Sequence, residues 1–375
     1  MSKNICYIID NLHTGGMQHQ LVKLLSHMDM SIYNPSVCYL SEINTDYLHT
    51  LNELRIKSFP VEILKLCTPN ILIKLLSLSS KLRKADIHIA HTYGTHAHIV
   101  GTLAARFAGI PIVVGSRRDL GVKFTKLHYP VYRFINMFVD RTMVNSNAIK
   151  HAIKCTEGMP YDKLEVVYNG VDKPAGGKIV ERSSVLQSLG VDEGKDLIGV
   201  VANFHLWKGH RYLIDAVKDI LNKHPNLHFV LVGDGPIKNK LVTHASSLGV
   251  LHAISFAGTR DDVMEILPFF EVSVLPSLTE GFSNTILESM ISGVPVVATS
   301  VDGNLEIIKD METGVLVPPK DPLSLVKAIC FLIENKVCAD AIAKKGQEFA
   351  LSKFSSKRMF GHVHEMYSEL LARKG

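Results

Sequence analysis

Apolar residues along this chain fall into two alternating rhythms. Short unbroken runs read as buried strands, at residues 4–9, 36–40, 86–90, 110–115, 140–145 and 164–168. Between several of them apolar residues recur every three or four positions, which predicts helices over 45–54, 69–84 and 96–108, the last ended by Gly109. The rhythm restarts in the second half, with strands at 197–202, 229–232, 255–258, 272–275 and 294–298. Helices are predicted from Arg211 onward and over 285–291, 321–334, 339–351 and 355–372. Such alternation predicts parallel sheets with helices on both faces. In sheets of that kind, ligands bind beyond the carboxyl ends of the strands. The loops that follow strands are therefore where chemistry is to be sought.

The most informative loop is 276–284, between the strand at 272–275 and the next helix. Gly281 allows a turn that a side chain would crowd, and Ser283 or Asn284 can cap the helix start. A helix start offers unpaired N–H groups and the positive end of a dipole, so it attracts phosphate. Glu280 lies in the turn and Glu288 one helical turn past Asn284. Carboxylates repel phosphate but accept hydrogen bonds from hydroxyls. Phosphate donors flanked by hydroxyl acceptors suit a nucleotide that carries a ribose and a sugar.

Other post-strand loops add candidates. Gly15-Gly16 precede the first helix and let backbone approach a ligand, although the dinucleotide pattern Gly-x-Gly-x-x-Gly is absent. The stretch 91–98 holds three histidines. His96 and His98, two apart on a helix start, face different ways, so these histidines, His96 foremost, are expected to hydrogen-bond or stack on a sugar, or to serve as a structural cap, rather than to bind a metal. Arg117 and Arg118 follow a strand and can grip a phosphate or carboxylate. From Lys123 to Phe134 basic and aromatic residues interleave, which fits a lipid interface or a helix docked on its own sheet. Lys208, between a strand and a helix, can neutralise phosphate as a point charge. The loop from Gly233 repeats the glycine turn.

With 375 residues, 46% of them hydrophobic and 21% charged, the chain is globular and long enough for two or three domains. No apolar run is long enough to span a bilayer, and the first one, 5–9, ends at Asp10, too soon for a signal peptide. The six cysteines are scattered with no Cys-x-x-Cys pair, which points to a reducing, cytoplasmic setting. Residues 1–172 hold 19 Lys+Arg against 13 Asp+Glu, and 173–375 hold 22 against 23. The basic first half suggests an anionic partner such as phosphate, an acidic glycan or lipid. No nucleic-acid motif accompanies it, so nucleic acid is not expected.

From Pro276-Ser277-Leu278-Thr279-Glu280-Gly281-Phe282-Ser283-Asn284 through Glu288 to Gly293-Val294-Pro295, the sequence resembles the retaining glycosyltransferases of family 4. Asn169-Gly170-Val171-Asp172, Lys208-Gly209 and Gly233-Asp234-Gly235 extend the resemblance over nearly the whole chain. It implies an α/β protein of the GT-B fold: two Rossmann-like, doubly wound parallel-sheet domains facing across a cleft. The implied boundaries are 1–172 for the acceptor-side domain, completed by a helix at 355–375, and 173–354 for the nucleotide-sugar domain, with a linker at 173–183.

The resemblance also implies roles. Glu280 would contact the donor sugar, Glu288 the ribose, and Lys208 the diphosphate. Gly16, Gly233, Gly281, Phe282, Ser283 and Asn284 would line the donor site, with His96, Arg118 and Lys123 on the acceptor side. Many members place an arginine where this chain has Asn203, and a histidine near Arg117. Arg117 is the candidate for that catalytic position, and Arg117, Arg118 or Arg211 for the missing cation.

The implied reaction moves a sugar, with retention, from a UDP- or GDP-linked donor to a hydroxyl of a saccharide or lipid-linked saccharide in surface polysaccharide synthesis. No cofactor or metal is expected, since protein cations and a helix start replace it and no Asp-x-Asp occurs. The enzyme would be cytoplasmic, or peripheral on the inner face of an anionic plasma membrane. The rival readings are a non-catalytic sugar-nucleotide-binding subunit, which Asn203 favours, and a sugar-nucleotide epimerase.

Overall fold

The first strand, β1 (Lys3–Ile9), shows how the chain builds its core. Its residues alternate between two faces: Ile5, Tyr7 and Ile9 enter one cluster of buried side chains and Cys6 and Ile8 another. A strand covered on both sides needs apolar residues at every position, which is why it reads as an unbroken run. The computed structural model describes the chain except for Met1, Thr14, 42–44, 64–69, 122–124, 126–127, 174–179 and Gly375. It divides into two compact units, Met1–Gly170 with Ser356–Gly375, and Val171–Ser355.

In the first unit β1 is followed by α1 (Gly16–Ser26), β2 (Tyr33–Tyr39), α2 (Thr45–Glu53), β3 (Lys57–Pro60) and α3 (Ile71–Lys84). Then come β4 (Ile89–Tyr93), α4 (Thr95–Ala108), β5 (Ile112–Arg117), α5 (His128–Asn136), β6 (Arg141–Val144), α6 (Asn147–Glu157) and β7 (Leu164–Val166). The strands form one parallel sheet in the order β3-β2-β1-β4-β5-β6-β7. One face is covered by α1 and by the last helix of the chain, through Leu21, Leu24 and Leu25 and through Met359, Val363, Met366 and Tyr367. The other is covered by α3 and α4, through Leu75, Leu78 and Leu82 and through Ala97, Val100 and Ala104. Each fully buried Leu or Ile contributes about 1.5–3 kcal/mol relative to exposure.

The second unit runs α7 (Arg182–Leu189), β8 (Asp196–Val201), α8 (His210–Lys223), β9 (Leu227–Val232), α9 (Lys238–Ser247), β10 (Ile254–Gly258) and α10 (Val263–Ile266). It continues with β11 (Phe270–Leu275), α11 (Asn284–Ile291), β12 (Val296–Thr299), α12 (Asn304–Ile307), β13 (Val315–Val317), α13 (Pro322–Glu334) and α14 (Lys336–Lys353). The first unit is then completed by α15 (Ser356–Lys374). The second sheet is also parallel, in the order β10-β9-β8-β11-β12-β13. No helix among the described residues is long and apolar enough to cross a membrane.

Each sheet reverses direction once. In the first unit the chain builds outward from β1 through β2 and β3, then returns to the other side at β4. In the second it builds outward from β8 through β9 and β10, then returns at β11. These reversals leave a crevice between the carboxyl ends of the two strands, where doubly wound sheets bind ligands.

The elements differ from the sequence expectation in several places. The predicted strand at 86–90 is β4, and its buried residues extend through His91, Thr92 and Tyr93, which read as loop. His91 is fully buried because its Nδ1 meets the Tyr367 hydroxyl at 2.5 Å, a partner supplied by α15. The span 173–183, read as linker, already contains the start of α7. Finally, Lys123 and much of the basic-aromatic stretch lie outside the described residues, while its latter part opens α5.

Candidate functional site

At the reversal point of the second sheet, β8 and β11 deliver two opposite charges to each other. Lys208 Nζ lies 2.6 Å from Glu280 Oε2. Both side chains are partly shielded, at 21% and 12% exposure, so the pair is neither dry nor freely solvated. The Ser277 hydroxyl donates to the same Glu280 oxygen at 3.2 Å. The Glu280 amide and the Thr279 hydroxyl both donate to Asp302 Oδ2, at 3.3 and 2.7 Å, so the turn that carries Glu280 is held from behind.

Glycines set the backbone around this pair. Gly209 has φ +68°, and a Cβ there would lie 1.8 Å from the Pro276 carbonyl oxygen. The Leu278 amide also donates to the Trp207 carbonyl at 2.7 Å, so the segment ending in Lys208-Gly209 lies directly against the turn after β11. Gly303 shows the same intolerance, with a Cβ position 2.0 Å from the Gly281 carbonyl oxygen.

Next to Glu280, Ser283 caps α11 by accepting from the Ile286 amide at 3.3 Å. The Thr285 hydroxyl donates to the Val201 carbonyl at 3.0 Å, which ties the first turn of α11 to the end of β8. The helix start, Lys208 and Glu280 thus share one end of one sheet. Asn284 and Glu288 are half-buried on α11, and Phe282 is buried edge-to-face on Phe354, with ring centres 5.6 Å apart. Gly233 follows β9, where its backbone passes the Ala202 carbonyl too closely for any side chain. Asn203 is exposed just past β8.

His205 and Trp207 stack in parallel at 4.3 Å beside Lys208. His210, the first residue of α8, is buried edge-on against Phe204. Burial, and then the Lys208 charge, push its imidazole down to about 4, so it is neutral at pH 7.

At the corresponding reversal point of the first sheet, Asp10 follows β1 and accepts from the Ala97 amide at 2.5 Å, capping the start of α4. His96 Nδ1 lies 4.0 Å from its other carboxylate oxygen. Gly94 has φ +103°, and a Cβ there would lie 2.5 Å from the Asp10 carboxyl. Burial raises the Asp10 carboxyl above its usual range, against the lowering effect of the α4 amides. Asp10 was missed in the sequence; its signal was an acid closing the first apolar run, with a glycine opening the loop after β4. Gly16 begins α1 close by in the chain.

The arginines after β5 have different surroundings. Arg117 is buried, pairs with Glu157 Oε1 at 2.7 Å, and lies 4.3 Å over the Tyr132 ring. Asn136 donates to the other Glu157 oxygen at 2.8 Å and accepts from His98 Nε2 at 3.0 Å. The Arg117 charge is therefore neutralised inside the wall, and it reaches no ligand without breaking a buried pair. Arg118 is half-buried, hydrogen-bonded to Asn169 and Ser116 and 5.3 Å over the Tyr93 ring. His98 stacks on Tyr132 and is fully buried, which removes it from any surface site. Lys123 lies outside the described residues. Arg211 is paired within α8 to Asp215 at 3.8 Å.

Among the described residues, one group has donor atoms spaced for a metal, namely His224, Cys330 and Glu334. It sits at the carboxyl end of α8 and on α13, at the opposite end of α8 from Lys208.

Comparison with known proteins fits this geometry. The model described as Glycosyltransferase Family 4 matches residues 14–173, and the one described as Glycosyl transferases group 1 matches 195–335. The UDP-Gal:alpha-D-GlcNAc-diphosphoundecaprenol alpha-1,3-galactosyltransferase of Escherichia coli is 27% identical over 352 residues, spanning 90% of this chain and 89% of its own. The putative glycosyltransferase EpsF of Bacillus subtilis is 24% identical over 371 residues, spanning 92% and 90%. The structure of Anabaena Alr3699/HepE in complex with UDP and glucose superposes with a TM-score of 0.86 at 21% identity, covering 98% of this chain and all of that one. At that identity the superposition establishes the fold, two Rossmann-like units of the GT-B type.

Proposed function

The chain belongs to the family 4 glycosyltransferases, and from that premise we propose that it transfers a hexose from a UDP-linked donor, with retention, to a hydroxyl of a polyprenyl-diphosphate-linked saccharide. The observation that carries this reading is the Lys208–Glu280 pair at the reversal point of the second sheet, beside the capped start of α11.

Donor departure leaves negative charge on the diphosphate oxygen. Lys208 is placed to move from Glu280 to that oxygen, and the α11 amides add a fixed dipole aimed at the same region. Glu280, released from Lys208 but still held by Ser277, then accepts from a sugar hydroxyl. Glu288 accepts from the ribose hydroxyls. As the anomeric carbon–oxygen bond breaks, the acceptor oxygen bonds to that carbon, and its proton leaves on the departing diphosphate. Lys208 and the α11 dipole supply the neutralisation that a divalent ion would otherwise give, so no metal is required. In this reading Arg118 and His96 are the candidates to contact the acceptor, whereas Arg117 is held by Glu157.

UDP is favoured over GDP by two likenesses: the E. coli relative is named for a UDP-galactose donor, and the Anabaena structure holds UDP. The same E. coli name supports a lipid-diphosphate acceptor.

The test is thermal unfolding with UDP, GDP, ADP and their hexose conjugates, first in EDTA and then with magnesium. A ligand bound only by the folded state raises the melting temperature. A UDP-selective shift in EDTA, lost in Lys208→Ala and Glu288→Ala, is expected. No shift with any nucleotide overturns the donor assignment. A shift without turnover on lipid-linked saccharide points to the non-catalytic subunit.

A further inference from the structure

We propose that His224, Cys330 and Glu334 form a zinc site that clamps the carboxyl end of α8 to α13. Their donor atoms, an imidazole nitrogen, the thiol sulfur and a carboxylate oxygen, all lie within 4.8 Å of one another. His224 Nε2 is 3.0 Å from Glu334 Oε1. Cys330 and Glu334 are one turn apart on α13, so they share one face of that helix. His224 comes from another element, as the residue that closes α8. Its backbone is held on both sides: its amide donates to the Ile220 carbonyl at 2.9 Å, and its carbonyl accepts from the Leu227 amide at 3.2 Å. The two helices meet in one core, through Val217 and Ile220 and through Val326 and Ile329. Three ligand types are therefore presented from two fixed helices.

Without a cation these groups oppose one another. Burial raises the Cys330 thiol above its ordinary range; the Lys223 charge works against this and the Glu334 carboxylate adds to it. Glu334 is the last residue of α13, whose last turn has no basic residue. A carboxylate there meets the negative end of its own helix dipole, and the carboxyl end of α8 arrives at the same place. A divalent cation reverses each of these penalties. It takes a thiolate, a neutral imidazole and a carboxylate, so two negative charges balance two positive ones, and the thiol proton is released to water.

The donor set selects zinc. Thiolate and imidazole suit it, whereas magnesium and calcium prefer oxygen ligands throughout. A tetrahedral ion with bonds of about 2.0–2.3 Å holds its ligand atoms roughly 3.3–3.8 Å apart, so small side-chain rotations close the present spacing. Cys330 is buried and supplies the inner ligand, while Glu334, 51% exposed, leaves the outer side open to a water in the fourth position. The ion has no part in the proposed reaction. The 14 residues of α8 put His224 about 20 Å along the helix from Lys208 and Gly209. Zinc here acts on the stability of the second unit, and its test is read without turnover.

The test is titration of the metal-free, thiol-reduced protein with zinc against a chromophoric chelator, and with cobalt(II) as a coloured probe. One equivalent of zinc is expected to bind with a Kd below about 1 µM. Cobalt(II) is expected to give a thiolate charge-transfer band and the visible bands of a tetrahedral site. Saturating zinc should raise the melting temperature by several degrees, and magnesium should not. Cys330→Ala should abolish the charge-transfer band. Glu334→Gln and His224→Gln, which leave the core intact, should each weaken zinc binding by at least about tenfold. Cys155 and Cys338 are exposed, and Cys155→Ser/Cys338→Ser should keep both the band and the affinity. A cobalt–thiolate band that survives in Cys330→Ala, or zinc affinity unchanged in Glu334→Gln and His224→Gln, overturns the proposal. Binding weaker than about 1 µM, or spread over several equivalents, shows adventitious surface binding only and also overturns it.

Discussion

Lys208 and Glu280 are 72 positions apart in sequence and 2.6 Å apart in space, and Glu280 receives Ser277 on the same oxygen. The contact exists because β8 and β11 are neighbours at the reversal of the sheet, and because Gly209 lets the Lys208 loop lie on Pro276. The pair holds both groups ready with opposite charges balanced. A diphosphate that takes the lysine frees the carboxylate for a hydroxyl.

Lys208→Ala is expected to lower kcat about 10²–10³-fold, as loss of one preorganised donor to a developing oxyanion does. Glu280→Gln keeps the shape and one acceptor oxygen, and should also lower kcat, with a smaller change in donor KM. Because each residue positions the other, the double variant should lose less than the product of the single losses. Steady-state nucleotide release from all four proteins checks this. Strict additivity would mean that the pair is incidental.

Gly209→Ala tests the backbone rather than the charge. A left-handed φ costs a non-glycine residue roughly 1–2 kcal/mol, and the added Cβ must also displace the Pro276 carbonyl, 1.8 Å away. The loop must therefore move off the turn after β11. The variant should melt several degrees lower and bind UDP more weakly, while Gly249→Ala, a left-handed glycine with nothing within 4 Å, should lose only the backbone cost of roughly 1–2 kcal/mol and keep its UDP affinity. Thermal unfolding with and without UDP measures both effects.

The parts of this arrangement that could be read from sequence are those whose cause is local. The run before Glu280, the glycine turn and the Ser283 cap follow from neighbours in the chain, as does the glycine after Lys208. Parallel-sheet alternation was legible for the same reason. Residues whose environment is built from afar were not. His91 and His98 looked like loop histidines turned to a ligand, yet Tyr367 and Asn136, 276 and 38 positions away, satisfy them in the core. Arg117 read as a free cation because Glu157, 40 positions on, gives no local signal. Helices α6 and α9 were missed, although Ser146 does cap α6 by accepting from the Ile149 amide at 3.1 Å.

The Arg117–Glu157 pair should behave as a structural unit. Glu157→Gln leaves a buried guanidinium uncompensated and is expected to cost about 3–5 kcal/mol. Replacing both residues by methionine removes the charges together and should recover most of that loss. Urea unfolding gives the stabilities. If Arg117 only holds the wall, the folded double variant keeps its UDP shift and most of its turnover. A turnover loss at intact stability and UDP binding would return Arg117 to the reaction.

His98 sets a pH dependence whose sign can be worked out. Burial first, and then the Arg117 charge, push its imidazole down to about 4 from 6.5. In the unfolded chain it takes up a proton below about pH 6.5, whereas in the fold it stays neutral until pH nears 4. The unfolded state therefore binds more protons across that window, and stability falls as the pH falls through it. Between pH 6.5 and 5 the loss from this one group is about 2 kcal/mol. His91 and His210 are shifted the same way by burial and steepen the slope. His98→Gln removes one titrating group and can keep a donor toward Asn136 Oδ1, so it should flatten the fall in melting temperature between pH 7 and 5 even if it lowers the value at pH 7. A variant slope equal to the wild type would mean that His98 is protonated in the fold, and that Arg117 does not face it as a positive charge.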